Sequence, residues 1–298
     1  MKKLVYAGLC CCLAFTVSAG VAQTADPRSA GGGSCQKNAY NCVDTPNPLP
    51  KADTVWLADM TWMDVRDAMA AGKKTVIIPT GGVEPNGPWV VLAKHDYVLR
   101  ATCDAIARKL GNALCAPVIS FVSQGDIDTK GGHMDTVGTI SIRDEVYEGL
   151  ITDVARSMQA HGFEHILFIS DNGGSNQKVA KSVADKLNAQ WGKPIVHDIP
   201  EYYQSWEGAD ALLLKKGVTK ADVRDGIHDD PSVTTLLMLT DPQYVRWQER
   251  VKAGKASIDG VALTDKNKVL EWGRELLEYR STVTAEAIRK TLAADQAR

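Results

Sequence analysis

The sequence lacks the motifs of several common enzyme classes. It has no Gly-x-Ser-x-Gly turn, so it offers no nucleophile elbow of the α/β-hydrolase type. It has neither a Gly-x-x-x-x-Gly-Lys-[Ser/Thr] phosphate loop nor a His-Glu-x-x-His pair, so those nucleotide-binding and zinc-protease signatures are absent. No two cysteines have the Cys-x-x-Cys spacing, so a thiolate metal site is not expected. Basic residues form no block and the formal net charge is −2, so we expect no nucleic-acid partner.

The first 22 residues have the pattern of an export signal. Two lysines precede an apolar stretch over residues 4–17, and small residues then offer cleavage after Ala19 or Ala22. The stretch is short for a transmembrane helix, although an uncleaved anchor is the alternative. No later run reaches the length of a membrane span. We therefore expect an exported protein, periplasmic or secreted, with no membrane contact after signal removal.

Cysteine usage agrees with export. Four cysteines lie beyond residue 22, and an oxidising compartment allows an even number to form two disulfides. Cys35 and Cys42 lie in a Gly/Asn/Pro-rich stretch and are expected to close a small loop. Cys103 and Cys115 lie in apolar surroundings, where a disulfide and two buried thiols both fit.

Strand and helix patterns alternate along residues 54–298, after an irregular arm over 23–53. Predicted strands cover 76–79, 116–119, 166–169 and 194–196, and predicted helices cover 95–110, 143–160, 176–191, 209–215, 231–240 and 265–292. The strands are continuous apolar runs, which is typical of a parallel sheet buried on both faces. We therefore predict a single domain with a three-layer α/β/α sandwich and a mostly parallel central sheet.

Polar clusters occupy the segments that follow the predicted strands. Sites in parallel sheets lie beyond the carboxyl ends of the strands, which directs attention to loops 80–96, 120–139, 170–176 and 197–208. Glu, His and Asp side chains in such loops can bind zinc or manganese. The alternative for Glu84 and Asp96 is capping of a turn or helix. The polar residues in question include Glu84, Asn86, His95, Asp96, His133, Asp171, Asn172 and His228.

The order and spacing of these clusters resemble the creatininase (creatinine amidohydrolase) family. The family's first loop, G-x-x-E-x-H-G-P-H-L-P-x-x-T-D, is similar to residues 81–89 (GGVEPNGPW). Its H-x-x-F-P-G-T-I-S-L is similar to residues 133–142 (HMDTVGTISI), and its G-F-x-x-I-V-I-V-N-G-H-G-G-N is similar to residues 162–175. Its H-A-G-x-x-E-T-S is echoed by residues 228–235 (HDDPSVTT). The resemblance spans roughly residues 55–250.

The resemblance implies a metal-dependent hydrolase of small cyclic or linear amides, often assembled as a hexamer. In the family, two zinc or manganese ions share a carboxylate and activate a water. Here Glu84 matches the family glutamate, but Asn86 and Asn172 stand where histidines are expected. An ungapped count places His95 at the shared-carboxylate position, with Asp96 one residue later. Amide side chains are poor zinc ligands, so an intact two-metal centre is doubtful and creatinine itself is not favoured as the substrate.

Three functions remain open. The first is hydrolysis of a small non-peptide amide at a remodelled site with one zinc or manganese ion, held by Glu84 and His95 with help from Asp96, Asp171 or His133. The second is a metal-free, exported ligand-binding protein. The third is a metal-free acid–base enzyme. The predicted catalytic residues are His228, His133 and Asp171, and the predicted substrate-binding residues are Trp89, Asn86, Asn172, Gly173 and Gly174. The predicted partners are a small-molecule amide and further copies of the chain in a homo-oligomer.

Overall fold

The computed structural model of the protein describes residues 26–218, 226–258 and 261–296. The chain divides into two compact units between Pro48 and Leu49, a few residues before the predicted end of the arm. The predicted signal segment lies outside the described residues, so cleavage and export stay predictions. In the part of the chain that is described, no helix combines the length and the apolar character that a membrane crossing requires.

The described part of the first unit, residues 26–48, is irregular. Within this range a short 3₁₀ turn covers Ala39–Asn41. The Cys35–Cys42 disulfide closes a loop with a sequence separation of 7, as the Gly/Asn/Pro-rich composition predicts. A single antiparallel bridge pairs Ser29 with Cys42.

The second unit is built on a four-stranded sheet in which every neighbouring pair is parallel. The strand order is β2-β1-β3-β4. All six residues of β1 and five of the six residues of β3 are buried, because helices cover both faces of the sheet. The predicted α/β fold class is confirmed. The strands are β1 Thr75–Thr80, β2 Ala113–Cys115, β3 His165–Ser170 and β4 Val196–Asp198, and a separate antiparallel pair is formed by β5 Ser257–Ile258 and β6 Val261–Ala262.

Eight α-helices accompany the strands within the described ranges. They are α1 Trp62–Ala70, α2 Lys94–Leu110, α3 Asp144–Ala160, α4 Ser175–Trp191, α5 Glu201–Lys215, α6 Pro231–Thr240, α7 Trp247–Lys252 and α8 Lys266–Gln296. The chain moves from β1 to one neighbour and then crosses back to β3 and β4. Right-handed crossovers therefore place α2 on one face and α3 and α4 on the other. The long α8 packs on α2, α5 and α6, which completes the outer layer on the α2 side.

Three predicted segments differ from the structure. The fourth strand covers Val196–Asp198 rather than 194–196. The second strand covers Ala113–Cys115 rather than 116–119, because Pro117 has no backbone N–H to donate to a ladder. Ile119 forms only an isolated bridge with Thr80. The segment 197–208, expected to be a loop, is mostly the first half of α5, which begins directly after Pro200.

The Cys103–Cys115 pair forms a disulfide that joins α2 to β2. Both cysteines are fully buried. Of the two alternatives that apolar surroundings left open, the structure therefore has the disulfide.

Candidate active site

The site lies where the strand order reverses. From β1 the chain goes to β2 on one side, and β3 lies on the other side of β1, so the loops after β1 and β3 diverge and leave a crevice. Glu84 follows β1, and Asp171 directly follows β3. A cavity of about 670 Å³ opens between these loops, and its wall also includes residues of α5 and of the segment before α6.

Two glycines make the loop after β1 possible. A Cβ on Gly81 would lie 2.0 Å from an Asp96 carboxylate oxygen, and one on Gly82 would lie 2.2 Å from Gln124 Nε2. Such separations are below any real contact, so both positions require glycine. The loop is held in this path because the Gly82 N–H donates to Asp96 Oδ1 at 3.2 Å. This packing brings Glu84 into the cavity.

Glu84 is the centre of the site, with 2% of its surface exposed. Lys94 Nζ donates to its Oε1 at 2.9 Å, and His95 Nε2 lies 2.9 Å from the same oxygen. Asn172 Nδ2 donates to Oε2 at 3.1 Å. The carboxylate is therefore fixed from three directions by donors.

A chain of buried polar groups runs from Glu84 to the C-terminal helix α8. His95 Nδ1 lies 2.8 Å from Asp171 Oδ2. The other oxygen of Asp171 accepts from Arg280 Nη2 at 3.0 Å and from Trp206 Nε1 at 3.0 Å. Asp171 and Arg280 are both buried, with 1% and 0% of the side chain exposed.

These contacts determine the charge of each group. Burial on its own would lower the pKa of His95, but hydrogen bonds to Asp171 and Glu84 outweigh it and raise the pKa. Both ring nitrogens face carboxylates, which only accept, so His95 is an imidazolium. Burial would raise the pKa of Glu84, but the hydrogen bond and charge of His95, together with Lys94, hold that pKa well below its usual range. Burial would likewise raise the pKa of Asp171, but Arg280 and His95 lower it.

Two further histidines approach Glu84 from the outer side of the cavity. His133 Nε2 lies 3.5 Å from Glu84 Oε2, and His228 Nε2 lies 3.4 Å from Glu84 Oε1. Burial and then the charge of Lys94 lower the pKa of His228 to about 4, so this ring is neutral near pH 7. His228 Nε2 is buried and has no hydrogen-bond partner in the described ranges. Its backbone is left-handed, with φ +56°, which is strained for a non-glycine residue and typical of functional sites.

Glu84, His133 and His228 together fit one metal ion. Their nearest ligand atoms all lie within 4.8 Å of one another. A tetrahedral zinc ion with bonds of about 2.1 Å separates its ligand atoms by about 3.4 Å. His133 and His228 lie at similar distances from Glu84, 3.5 and 3.4 Å, each from a different oxygen of the carboxylate. Two histidines and a glutamate form a known catalytic zinc set.

A second ion does not fit. No other group of three possible ligands occurs among the residues that the structure describes. The positions that would complete the family's centre are the amides of Asn86 and Asn172 and the imidazolium of His95, and none of these offers a good lone pair. Among the described residues, ligands for a single ion are therefore what the geometry offers.

The predicted metal ligands are only partly brought together. Glu84 belongs to the group that could hold an ion, but His95 does not, because both of its nitrogens are already bonded to carboxylates. Asp96 is directed back at the Gly82 backbone and does not line the cavity. The two histidines predicted as catalytic, His133 and His228, take their places beside Glu84.

The predicted substrate-binding residues also divide into two sets. Asn172, Gly173 and Gly174 line the cavity. Asn86 does not, because its Nδ2 donates to backbone carbonyls of its own loop, at 3.1 Å to Glu84 and 2.8 Å to Val91. Trp89 lies in a separate shallow depression, with the guanidinium of Arg250 over its ring. The structure thus corrects the prediction that Asn86 and Trp89 contact a ligand in this cavity.

Several residues of the site were missed by sequence reasoning. Lys94 and Gln124 are two of these, and both line the cavity. The aromatic side chains of Tyr203 and Trp206, which the sequence places after the fourth predicted strand, contribute the α5 wall and are not among the missed residues. Arg280 holds Asp171 from a distance of 109 residues along the chain. The position of Lys94 beside the predicted ligand His95 was the one available signal.

Comparisons with known proteins agree with this geometry. A family model, Creatininase (creatinine amidohydrolase), matches residues 58–289. The chain is similar to creatinine amidohydrolase of Pseudomonas putida, with 21% identity over 130 residues, which cover 44% of this chain and 49% of the relative. It is also similar to the mycofactocin precursor peptide peptidase of Mycobacterium ulcerans (strain Agy99), with 25% identity over 185 residues, 61% of this chain and 64% of the relative. The chain thus spans about half and just under two thirds of the lengths of these relatives.

Solved structures show the same fold. A crystal structure of creatinine amidohydrolase has a TM-score of 0.61 at 17% identity, covering 80% of this chain and 98% of that one. A mutant creatininase of Zn–Zn type has a TM-score of 0.60 at 19% identity, covering 80% and 99%. The family model covers well over half of the chain. The protein therefore belongs to the creatininase family.

Proposed function

We propose that the protein hydrolyses a small non-peptide amide with one divalent ion held by Glu84, His133 and His228. The observation that carries this proposal is that one carboxylate and two imidazole rings, at a cavity of about 670 Å³, bring three ligand atoms within 4.8 Å of one another. His228 Nε2 is buried there without a partner, and a buried polar atom of this kind calls for a ligand. When bound, zinc or manganese supplies a water of lowered pKa and polarises a carbonyl.

The chain's own residues prepare this site for amide hydrolysis. Lys94, His95 and Asn172 hold the Glu84 carboxylate in place. Neutral His228 keeps a lone pair available at pH 7. In the overall reaction, water adds its oxygen to the amide carbon, the C–N bond breaks, and a proton from the water ends on the departing nitrogen. Asp171 lines the cavity, but Arg280, Trp206 and His95 occupy both of its oxygens, so we assign it a positioning role.

A metal-free ligand-binding protein is the second candidate. One observation favours it: Lys94 Nζ lies 2.9 Å from Glu84 Oε1, and a positive charge at this distance opposes the binding of a cation. On this alternative the cavity binds a ligand and does not catalyse a reaction of it.

Elemental analysis of the protein purified without chelator tests the proposal. We expect about one zinc or manganese ion per chain, lost in Glu84→Ala and in His133→Ala. His161→Ala is the matched control, because His161 lies at the end of α3 and should leave the metal content unchanged. An absence of metal after reconstitution, with no turnover in a screen of small amides, would favour the ligand-binding alternative.

Export and self-association complete the proposal. The disulfides Cys35–Cys42 and Cys103–Cys115 fit an oxidising compartment. Exposed apolar side chains on the segment 121–140, including Phe121 and Val137, fit a contact with another copy of the chain. N-terminal sequencing of the exported protein and analytical ultracentrifugation test these two points.

A further inference from the structure

Lys94 is a buried cation inside the cavity. It is the first residue of α2, 3% of its surface is exposed, and its ammonium forms an ion pair with Glu84 at 2.9 Å. Burying an ammonium is unfavourable even when it is paired. The helix start adds to this cost, because the first turn of a helix carries a partial positive charge. A lysine at this position therefore lowers the free energy of unfolding. A residue that is unfavourable for folding and lies in a cavity is a candidate for a functional role.

The Lys94 ammonium has N–H groups that are not used by Glu84. An ammonium carries three N–H groups, and the described part of the chain accepts only one of them, at Glu84 Oε1. Lys94 lines the same cavity as Gln124. The Gln124 side chain is 5% exposed, and its Nε2 has no hydrogen-bond partner in the described ranges. Two kinds of N–H donor are thus available at one cavity, and what they lack is an acceptor.

The positive charge of Lys94 lies beside the residue that takes the shared-carboxylate position of the two-ion pattern. Lys94 and His95 both contact Glu84 Oε1, and His95 takes the shared-carboxylate position of the two-ion family pattern. The single ion that fits here would use Glu84 with His133 and His228. On the other side of Glu84, an ammonium and an imidazolium provide fixed positive charge where a second ion finds no ligands.

We propose that Lys94 is a catalytic residue that donates to the substrate carbonyl oxygen, with Gln124 Nε2 as a second donor. Together with His95, it supplies the positive charge of the missing second ion. As the oxygen of water adds to the amide carbon, the carbonyl oxygen becomes negative, and N–H donors held in the same cavity stabilise that charge. No covalent bond to Lys94 forms. This inference rests on the amide hydrolysis proposed above.

The test is Lys94→Met, which keeps most of the side-chain length and removes the charge. Zinc affinity is measured by competition with a fluorescent chelator, and amide hydrolysis is measured on whichever amide the wild type turns over. We expect zinc to bind at least about tenfold more tightly, because a nearby positive charge is gone. We expect kcat to fall about 100-fold or more, with a smaller change in KM, as when an oxyanion donor is lost. These two readouts move in opposite directions, whereas a merely structural role would weaken both.

Two further variants and a control keep the test decisive. Lys94→Gln retains N–H donors without charge, so its zinc affinity should match that of Lys94→Met while its kcat falls less. Lys94→Arg retains the charge and should leave zinc affinity near that of the wild type. Lys73→Met is the matched control, since Lys73 Nζ donates only to backbone carbonyls at Gly111 and Ala113. Melting temperatures of all variants identify any that fail to fold. The role of Lys94 is then decided by the Lys94 substitutions that do fold.

The outcomes separate this inference from the proposed function. Unchanged or weaker zinc binding in a folded Lys94→Met variant, or an unchanged kcat, overturns the role of Lys94 while the hydrolase stands. A wild type that binds zinc but hydrolyses no amide overturns the hydrolase and the donor role together. In that case the zinc measurements still decide whether Lys94 supplies the charge of a second ion.

Discussion

Histidines lie on two sides of Glu84: the buried His95 on the inner side, and the partly exposed His133 and His228 on the outer side. The histidines of the two sides differ in their partners and in their charge. On the inner side, both nitrogens of His95 contact carboxylates, and its pKa is raised. On the outer side, His228 Nε2 has no partner within the described ranges, and its pKa is lowered to about 4. The inner histidine is a charged donor that orients Glu84, and the outer one is neutral and can bind a cation. Surroundings, rather than residue type, decide which histidine can be a ligand.

The largest expected effect comes from removing Arg280, which binds Asp171 on the inner side of Glu84. Arg280→Met leaves the buried Asp171 with His95 as its remaining charged partner, and removing one partner of a buried ion pair costs up to about 3–5 kcal/mol of unfolding free energy. For a domain of this size the melting temperature should fall by roughly 6–20 °C. Thermal and urea unfolding measure both quantities.

Arg156→Met is the control for this prediction. Arg156 is exposed, and its contact with Asp153 is 3.9 Å long, so its loss should change stability by less than about 0.5 kcal/mol. Equal effects of the two substitutions would show that the Asp171–Arg280 pair does not hold the inner side together.

Removing a ligand on the outer side should change metal binding far more than stability. His228→Asn takes away one of three candidate ligands, and Asn tolerates the left-handed backbone of this position. Zinc affinity should fall by more than about 100-fold, since even the partners of metal ligands are worth 10–100-fold. Chelator competition and urea unfolding on the same samples check both expectations. Zinc affinity within a few-fold of the wild type would remove His228 from the ligand set.

The two histidines should also respond to pH with opposite sign. The folded pKa of His228 lies below the ordinary value, so its contribution to stability is present above about pH 6.5 and is lost as pH falls towards 4. The folded pKa of His95 lies above the ordinary value, so its contribution is present below about pH 6.5 and is lost as pH rises through the folded pKa. NMR titration of the metal-free protein, with ring signals assigned by His228→Asn and His95→Gln, measures both. A His95 ring that titrates below the ordinary value would contradict the charged inner side.

The sequence predicts the fold better than the roles within the site. Continuous apolar runs predicted β1 and β3 and the loops that follow them, because burial on both faces leaves a local signal. The second strand was misplaced by a few residues, since an apolar run does not show which residues form the ladder. The first half of α5 was missed because its first turns contain polar and aromatic residues without a clear stripe, whereas the second half was predicted as the helix over 209–215.

Site roles depend on partners that are distant in sequence. His95 was predicted as a metal ligand, but Asp171 lies 76 residues away and Glu84 lies 11 residues away, and together they occupy both of its nitrogens. Lys94 was not singled out, because a lysine at a helix start is usually solvated and nothing local shows that this one is buried. Polar residue types at strand ends indicate where a site is, and tertiary contacts decide what each residue does.

The smallest effects separate the two tryptophans. Trp206 Nε1 donates to Asp171 Oδ1 at 3.0 Å, so Trp206→Phe should lower stability by about 1 kcal/mol and weaken zinc binding a few-fold through the inner side. Trp89 does not line the cavity, so Trp89→Leu should leave zinc affinity within about twofold, as expected for a site without shared partners. The pair is matched, because each tryptophan has an arginine over its ring, Arg280 on Trp206 and Arg250 on Trp89.

A larger change in zinc affinity for Trp89→Leu would mean that packing changes in the loop after β1 alter the position of Glu84. The prediction that Trp89 and Trp206 differ in their effect on the site would then be wrong. If only Trp206→Phe changes zinc affinity, the inner side controls the ligand through Asp171 and His95 rather than through general packing.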